Sequence, residues 1–311
     1  MKTMLISTGS TESEIEPQAV NEELFILAYR QSAVASKYPV RNHGKRKLIP
    51  AFSAATRFIA VASLLALTAG RICRAQADLP DAPKPQAGVA IRNVPRYILQ
   101  DQKGIWTSPA HVKIQDLDWL VPLAAGTALT IATDQSAMNH VVSKNPSFNS
   151  KNIDVSNAMI GGFIATPVVL YGFGHVWKSP HAREAGILTG EAMLDSVVVE
   201  QGMKLAFWRE RPSMNNASGH FFKSDAGIDS AFPSSHSVVA WSAAAVLAGE
   251  YHSHLTQLLI YSAATGISLT RVMGQQHFPS DVLVGSAAGW LVGRYVFRKH
   301  HNEALTTNED Y

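Results

Sequence analysis

From residue 105 to residue 300 the chain alternates between long apolar stretches and short polar breaks. Stretches 119–132, 158–177, 237–251, 258–273 and 282–297 are largely apolar, and 185–208 is amphipathic, with Glu191, Asp195, Glu200 and Lys204 set among aliphatic residues. No sustained two-residue alternation competes with helix anywhere in this region. The pattern predicts an all-α fold, a bundle of about six core helices. Its breaks carry helix punctuation. Thr107-Ser108-Pro109 places a capping hydroxyl before a proline, which predicts a helix start. Gly274 predicts the end of one helix, and Pro279-Ser280 the beginning of the next.

Segment 158–177 is about long enough to span a bilayer, which takes about 20 apolar residues. The other apolar cores are shorter, with polar ends. Small residues crowd them, as in Ser242-Ala243-Ala244-Ala245 and Gly285-Ser286-Ala287-Ala288-Gly289, and these allow helix backbones to approach closely. The expected architecture is a multi-pass membrane bundle with polar groups at its helix ends. The alternative is a water-soluble bundle packed through the same small residues.

The N-terminal quarter is different material. Residues 8–23 are rich in Ser, Thr and Glu, and apart from an apolar patch at 24–29 no period persists, so 1–47 reads as a disordered extension. Arg41, Lys45, Arg46 and Lys47 then flank an apolar stretch at 58–70 that leads to Ala75-Gln76-Ala77. A positive flank, a short apolar run and a small-x-small site make a secretory signal, so 48–77 is expected to be removed, leaving Asp78 first. A signal this far along implies a downstream start, although no Met lies between Met4 and Met138. Residues 78–104 open on a Pro-stiffened run and read as a linker, 105–300 as the folded domain, and 301–311 as a flexible tail.

Composition narrows the function. Only 16% of residues are charged, against about 25% in ordinary soluble domains, which fits an apolar bundle. The net charge is +3 and no long basic run interleaves with aromatic residues, so nucleic acid is not an expected partner. A single cysteine, Cys73, leaves neither a disulfide framework nor a thiolate metal site.

Three polar clusters fall at the helix ends. Lys204 and Arg211-Pro212 are seven residues apart, which would set two cations on one helix face before the proline ends it. They could clamp an oxyanion, or form a solvated basic end with Glu200 pairing Lys204. Phe232-Pro233-Ser234-Ser235-His236 opens an apolar helix, whose unpaired N–H groups attract anions. An ordinary N-cap explains the serines but not the histidine. Finally Thr270-Arg271, His277 and Asp281 surround a tight turn, where a carboxylate could accept the imidazole N–H and orient the ring.

In this order, Lys204-x₆-Arg211-Pro212, Pro233-Ser234-Ser235-His236 and Arg271-x₅-His277-x₃-Asp281 resemble the three-part signature of the type-2 phosphatidic acid phosphatase and vanadium haloperoxidase superfamily. The resemblance covers about residues 105–300. Ser235 stands where the family has Gly, and Thr270 where it has Ser; each keeps the chemical role of the position. The resemblance implies a metal-independent phosphatase. Lys204, Arg211 and Arg271 would bind phosphoryl oxygens, and Ser234 and the Ser235 N–H would add hydrogen bonds. His277 would attack phosphorus, oriented by Asp281, and His236 would protonate the leaving alkoxide. No cofactor is expected, and vanadate would act as a transition-state mimic.

The expected substrate is a lipid phosphate or diphosphate, at an inner membrane with the site facing the periplasm or exterior. The alternatives are a soluble periplasmic acid phosphatase on small phosphomonoesters, a vanadate-dependent haloperoxidase, and a non-catalytic anion-binding protein. Ser218-Gly219-His220 mimics part of the second cluster but reads as loop. His175, His181, His252 and His254 read as surface or interfacial, and Glu184 beside His181 offers too few ligands for a metal.

Overall fold

The computed structural model describes residues 90–223 and 229–302. The expected N-terminal extension, the signal segment, residues 78–89 and most of the tail lie outside these. Seven α-helices run through the described part: α1 (Val94–Thr107), α2 (Leu117–Ser136), α3 (Pro146–Val176), α4 (Pro180–Phe207), α5 (Ser235–Glu250), α6 (His254–Met273) and α7 (Pro279–His300). No strand forms among the described residues.

Three boundaries differ from the expectation. The linker reading of 78–104 fails over its last part, because α1 occupies it. Pro95 falls in the first turn, where its missing N–H breaks no bond, and Gln102 Nε2 anchors the helix by donating to Asp195 Oδ1 at 2.8 Å. Thr107-Ser108-Pro109 therefore closes α1 and enters a 3₁₀ turn, Ser108–His111, rather than opening a helix. The third difference is that α3 starts twelve residues before 158, at Pro146. Asn145 caps it, accepting from the Ser147 and Phe148 amides, and its polar first turns (Asn149, Lys151, Asn152, Asp154) hid it from an apolar count.

The centre of the bundle is α5. Its small side chains, among them Ala240, Ala243, Ala244 and Ala245, are all buried and let α4, α6 and α7 close around it. The tightest approach is to α7, along Gly285, Gly289 and Gly293. A Cβ at Gly289 would lie 2.1 Å from the Val238 carbonyl oxygen, and one at Gly293 2.2 Å from that of Ser242. Gly289→Ala should therefore cost about 1–3 kcal/mol through overpacking. Gly126→Ala, where a Cβ meets nothing within 4 Å, is the control. Equal melting temperatures for the two variants would contradict this packing.

Apolar faces are left outward. In α3, an 18-residue window has mean hydropathy 1.5 and is only 11% buried, and by length and composition this is the one described helix able to cross a membrane. Leu129 on α2, Val168 on α3 and Leu258 on α6 are all more than half exposed.

The topology gives the bundle two polar ends. One gathers the end of α4, the start of α5, the end of α6 and the start of α7. The other gathers the start of α4, the end of α5 and the end of α7.

Candidate active site

All three polar clusters meet at the first of these ends. Lys204, in the last turn of α4, is fully buried, so the solvated-end reading does not hold. The Glu200 pairing does hold: Lys204 Nζ lies 2.9 Å from Glu200 Oε1 and donates to Ser235 Oγ at 2.9 Å. Ser235 Oγ in turn donates to Glu200 Oε1 at 2.6 Å, so its side chain locks α5 to α4.

Arg211 does not share the helix face with Lys204. The helix stops at Phe207, and Trp208 takes the left-handed conformation (φ 41°), which turns the chain back before Pro212 is reached. Arg211 is then held from outside the helix, donating to the carbonyls of Asp229 at 3.1 Å and Gln276 at 3.2 Å.

At the start of α5, Ser234 occupies the N-cap position but its side chain caps nothing. Its Oγ is buried with no hydrogen-bond partner among the described residues, and so is Nε of Arg271. Leaving a buried polar atom unsatisfied costs about 1–3 kcal/mol. An N-cap serine that served only the helix would accept from the N2 or N3 amide. Two orphaned donors beside buried cations are what an absent oxyanion would satisfy. Arg271 is aimed from α6 by Ser156 Oγ at 3.2 Å and Asn157 Oδ1 at 3.4 Å, and Asn157 also lies 3.1 Å from His236 Nε2.

His277 lies in the turn between α6 and α7, as Gly274 and Pro279 predicted. Its Nδ1 is 2.8 Å from the Ala231 carbonyl oxygen and 3.6 Å from Asp281 Oδ2. The expectation that Asp281 accepts the imidazole N–H is thus corrected: the backbone carbonyl takes it. Asp281 is occupied elsewhere, its Oδ2 accepting the Phe278 amide at 2.8 Å and its Oδ1 facing Arg209 at 2.5 Å. A carbonyl can pair only with a donor, so Nδ1 carries the proton and Nε2 keeps its lone pair. Burial, and then the charges of Arg211, Arg271 and Lys204, hold His277 well below the usual histidine range, so it is neutral near pH 7. Burial followed by Arg271, Lys204 and Arg211 does the same to His236.

The key residue that sequence reasoning missed is Arg209. It is buried, with one nitrogen on both Ser280 Oγ (2.6 Å) and Asp281 Oδ1, and the other on Asp134 Oδ2 at 2.7 Å. Ser280 Oγ donates to Asp134 as well. Phe221 and Phe278 cover the guanidinium faces at 4.6 and 4.2 Å. This network ties α2 to the start of α7, and through Asp281 it fixes the turn that carries His277. In sequence Arg209 is one of three consecutive charged residues, with nothing to set it apart from Glu210. Ser156 and Asn157, on α3, were equally hidden. The Ser218-Gly219-His220 decoy is loop: Glu210 accepts from Ser218 Oγ and from the His220 amide.

The family model of the PAP2 superfamily matches residues 185–304, which contain all three clusters. The curated lipid A 1-phosphatase of Porphyromonas gingivalis is 26% identical over 177 residues, 56% of this chain. The chain spans 36% of that relative's length. A solved structure described as the first transmembrane PAP2 type phosphatidylglycerolphosphate phosphatase, from Bacillus subtilis, aligns with a TM-score of 0.38 and 19% identity, over 66% of this chain and 93% of that one.

Proposed function

With residues 185–304 belonging to the PAP2 superfamily, we propose that this protein is a metal-independent phosphatase of lipid phosphates or diphosphates, working through a phosphohistidine. The observation that carries the reading is the pair of orphaned donors, Ser234 Oγ and Arg271 Nε, in a pocket where three buried or half-buried cations bear on His277.

The phosphoryl group binds between Lys204, Arg211 and Arg271, with Ser234 Oγ and the Ser235 amide on its remaining oxygens. His277 Nε2 attacks phosphorus, a P–N bond forms, and the ester P–O bond breaks. His236 gives its proton to the departing alkoxide, then takes one from the water that attacks the phosphohistidine and frees His277. In the free protein His236 is held neutral by its burial and then by the cations, and the incoming phosphate dianion offsets their charge and lets it protonate. Asp281 acts on His277 through the turn, and the Ala231 carbonyl sets the tautomer. The fixed cations neutralise charge in the transition state. Vanadate is expected to inhibit as a mimic of that state.

The apolar faces of α2, α3 and α6 favour a lipid substrate over a small soluble ester, because exposed apolar patches of this extent mark contact with lipid or a partner. The membrane would hold the protein through these faces, with the site directed to the periplasmic side by the N-terminal signal.

Phosphate release from phosphatidate, an isoprenyl diphosphate and an aryl phosphate tests the reading. The lipid substrates should show the higher kcat/KM. The His236→Ala variant should lose about 10²–10⁴-fold on the lipids, which need the proton. It should lose less on the aryl phosphate, whose leaving group departs without one. An equal loss on all three would remove His236 from the role of acid.

A further inference from the structure

The opposite end of the bundle holds a second set of buried polar groups that the proposed reaction does not use. His181 and Glu184 from the start of α4, Glu250 from the end of α5 and His301 just after α7 are all buried or nearly so. His181 and its neighbour Glu184, read from sequence as surface or interfacial and too few to hold a metal, are joined here by two ligands from distant segments. His301 is likewise packed in, against the expectation of a flexible tail at 301–311.

The spacing of three of these groups suits a shared cation. His181 Nε2 lies 3.0 Å from Glu250 Oε2, and His301 Nδ1 lies 3.1 Å from Glu250 Oε1 and 3.3 Å from Glu184 Oε1. One ligand atom from each of Glu184, Glu250 and His301 falls within 4.8 Å of the others. Tetrahedral ligands about 2.0–2.1 Å from a zinc ion stand about 3.3 Å from one another. A second observation is independent of this spacing: Glu184 Oε2 is buried and has no hydrogen-bond partner among the described residues. A buried carboxylate oxygen without a donor is costly unless a cation meets it. Glu184 Oε1 also accepts the Asn302 amide at 2.7 Å, the kind of outer contact that orients a ligating carboxylate.

We propose that Glu184, Glu250 and His301 form a divalent-cation site, for Zn²⁺ or a cation of similar softness, at the end of the bundle opposite the phosphate pocket, with His181 on the other oxygen of Glu250. An imidazole beside two carboxylates suits such ions better than Mg²⁺ or Ca²⁺, which favour all-oxygen shells. The bound ion joins the end of α7 to α4 and α5, a structural role. The adjacent triad of Asp101, Glu191 and His300 is a poorer candidate, because Lys299 already supplies Asp101 with a cation.

Titration calorimetry of the untagged, metal-stripped full chain with Zn²⁺ tests the site. One saturable equivalent is expected, with a rise in melting temperature on binding. Glu250→Gln and Glu184→Gln should each weaken binding at least about 10-fold. Glu191→Gln and His277→Ala should leave it unchanged. Absence of saturable binding to the wild-type chain would overturn the proposal, whatever the variants do. So would loss on Glu191→Gln or on His277→Ala, which would move the ion to the neighbouring triad or to the phosphate pocket. Circular dichroism identifies a variant that has not folded, and Glu184→Gln stands in for Glu250→Gln if that happens.

Discussion

His277→Ala is expected to abolish turnover, by roughly 10⁶-fold if the loss matches that of other covalent nucleophiles. The reason lies in one ring. Nε2 of His277 combines an available lone pair with a position beside three cations, because Nδ1–H is committed to the Ala231 carbonyl. Among the described residues, Ser234 has no base within hydrogen-bond distance of its Oγ. Rapid quench with labelled substrate should trap a phosphoenzyme on the wild-type chain that is labile in acid and stable in base, and none on His277→Ala. An acid-stable label on serine, or activity surviving in the variant, would remove His277 from the reaction.

Arg209→Met is expected to lower stability by about 3–5 kcal/mol, the cost of breaking a buried pair and leaving its partners charged. Here two carboxylates lose their cation together, Asp134 and Asp281, and Ser280 loses a donor. Methionine keeps much of the length of the side chain between Phe221 and Phe278, so lost packing contributes little. Chemical denaturation should show the midpoint fall. Arg209 touches no substrate in the proposed reaction and acts by positioning the His277 turn. In the milder Arg209→Lys variant kcat should therefore fall while KM stays near its wild-type value. A variant as stable as wild type would show that the network carries no fold energy. A rise in KM with kcat unchanged would place Arg209 in the phosphate pocket instead.

The three clusters were legible in sequence because each lies within a short stretch at a helix boundary. Pro233-Ser234 opening α5 and Gly274 with Pro279 framing His277 were read correctly from local punctuation alone. The Lys204 and Arg211 pairing was right in its members and wrong in its geometry. Seven-residue spacing assumes that the helix continues, and Trp208 ends it. Asp281 failed for a different reason. Its place four residues after His277 is suited to an imidazole bond, but Arg209 and the Phe278 amide compete for the same carboxylate.

The sequence by itself determined the all-α architecture, the small-residue faces that allow close helix contact, and the residue types that gather at one end of the bundle. These follow from periodicity and local backbone preference, which act over a few residues. Only the tertiary structure decided which atom meets which: the Ala231 carbonyl on His277, Asn157 beside both Arg271 and His236, Arg209 between two carboxylates, and His301 beside Glu184 and Glu250. Those partners are 46 to 117 residues apart in the chain. Where helices cross and where the chain turns back sets their contacts, and no spacing along a single helix encodes it.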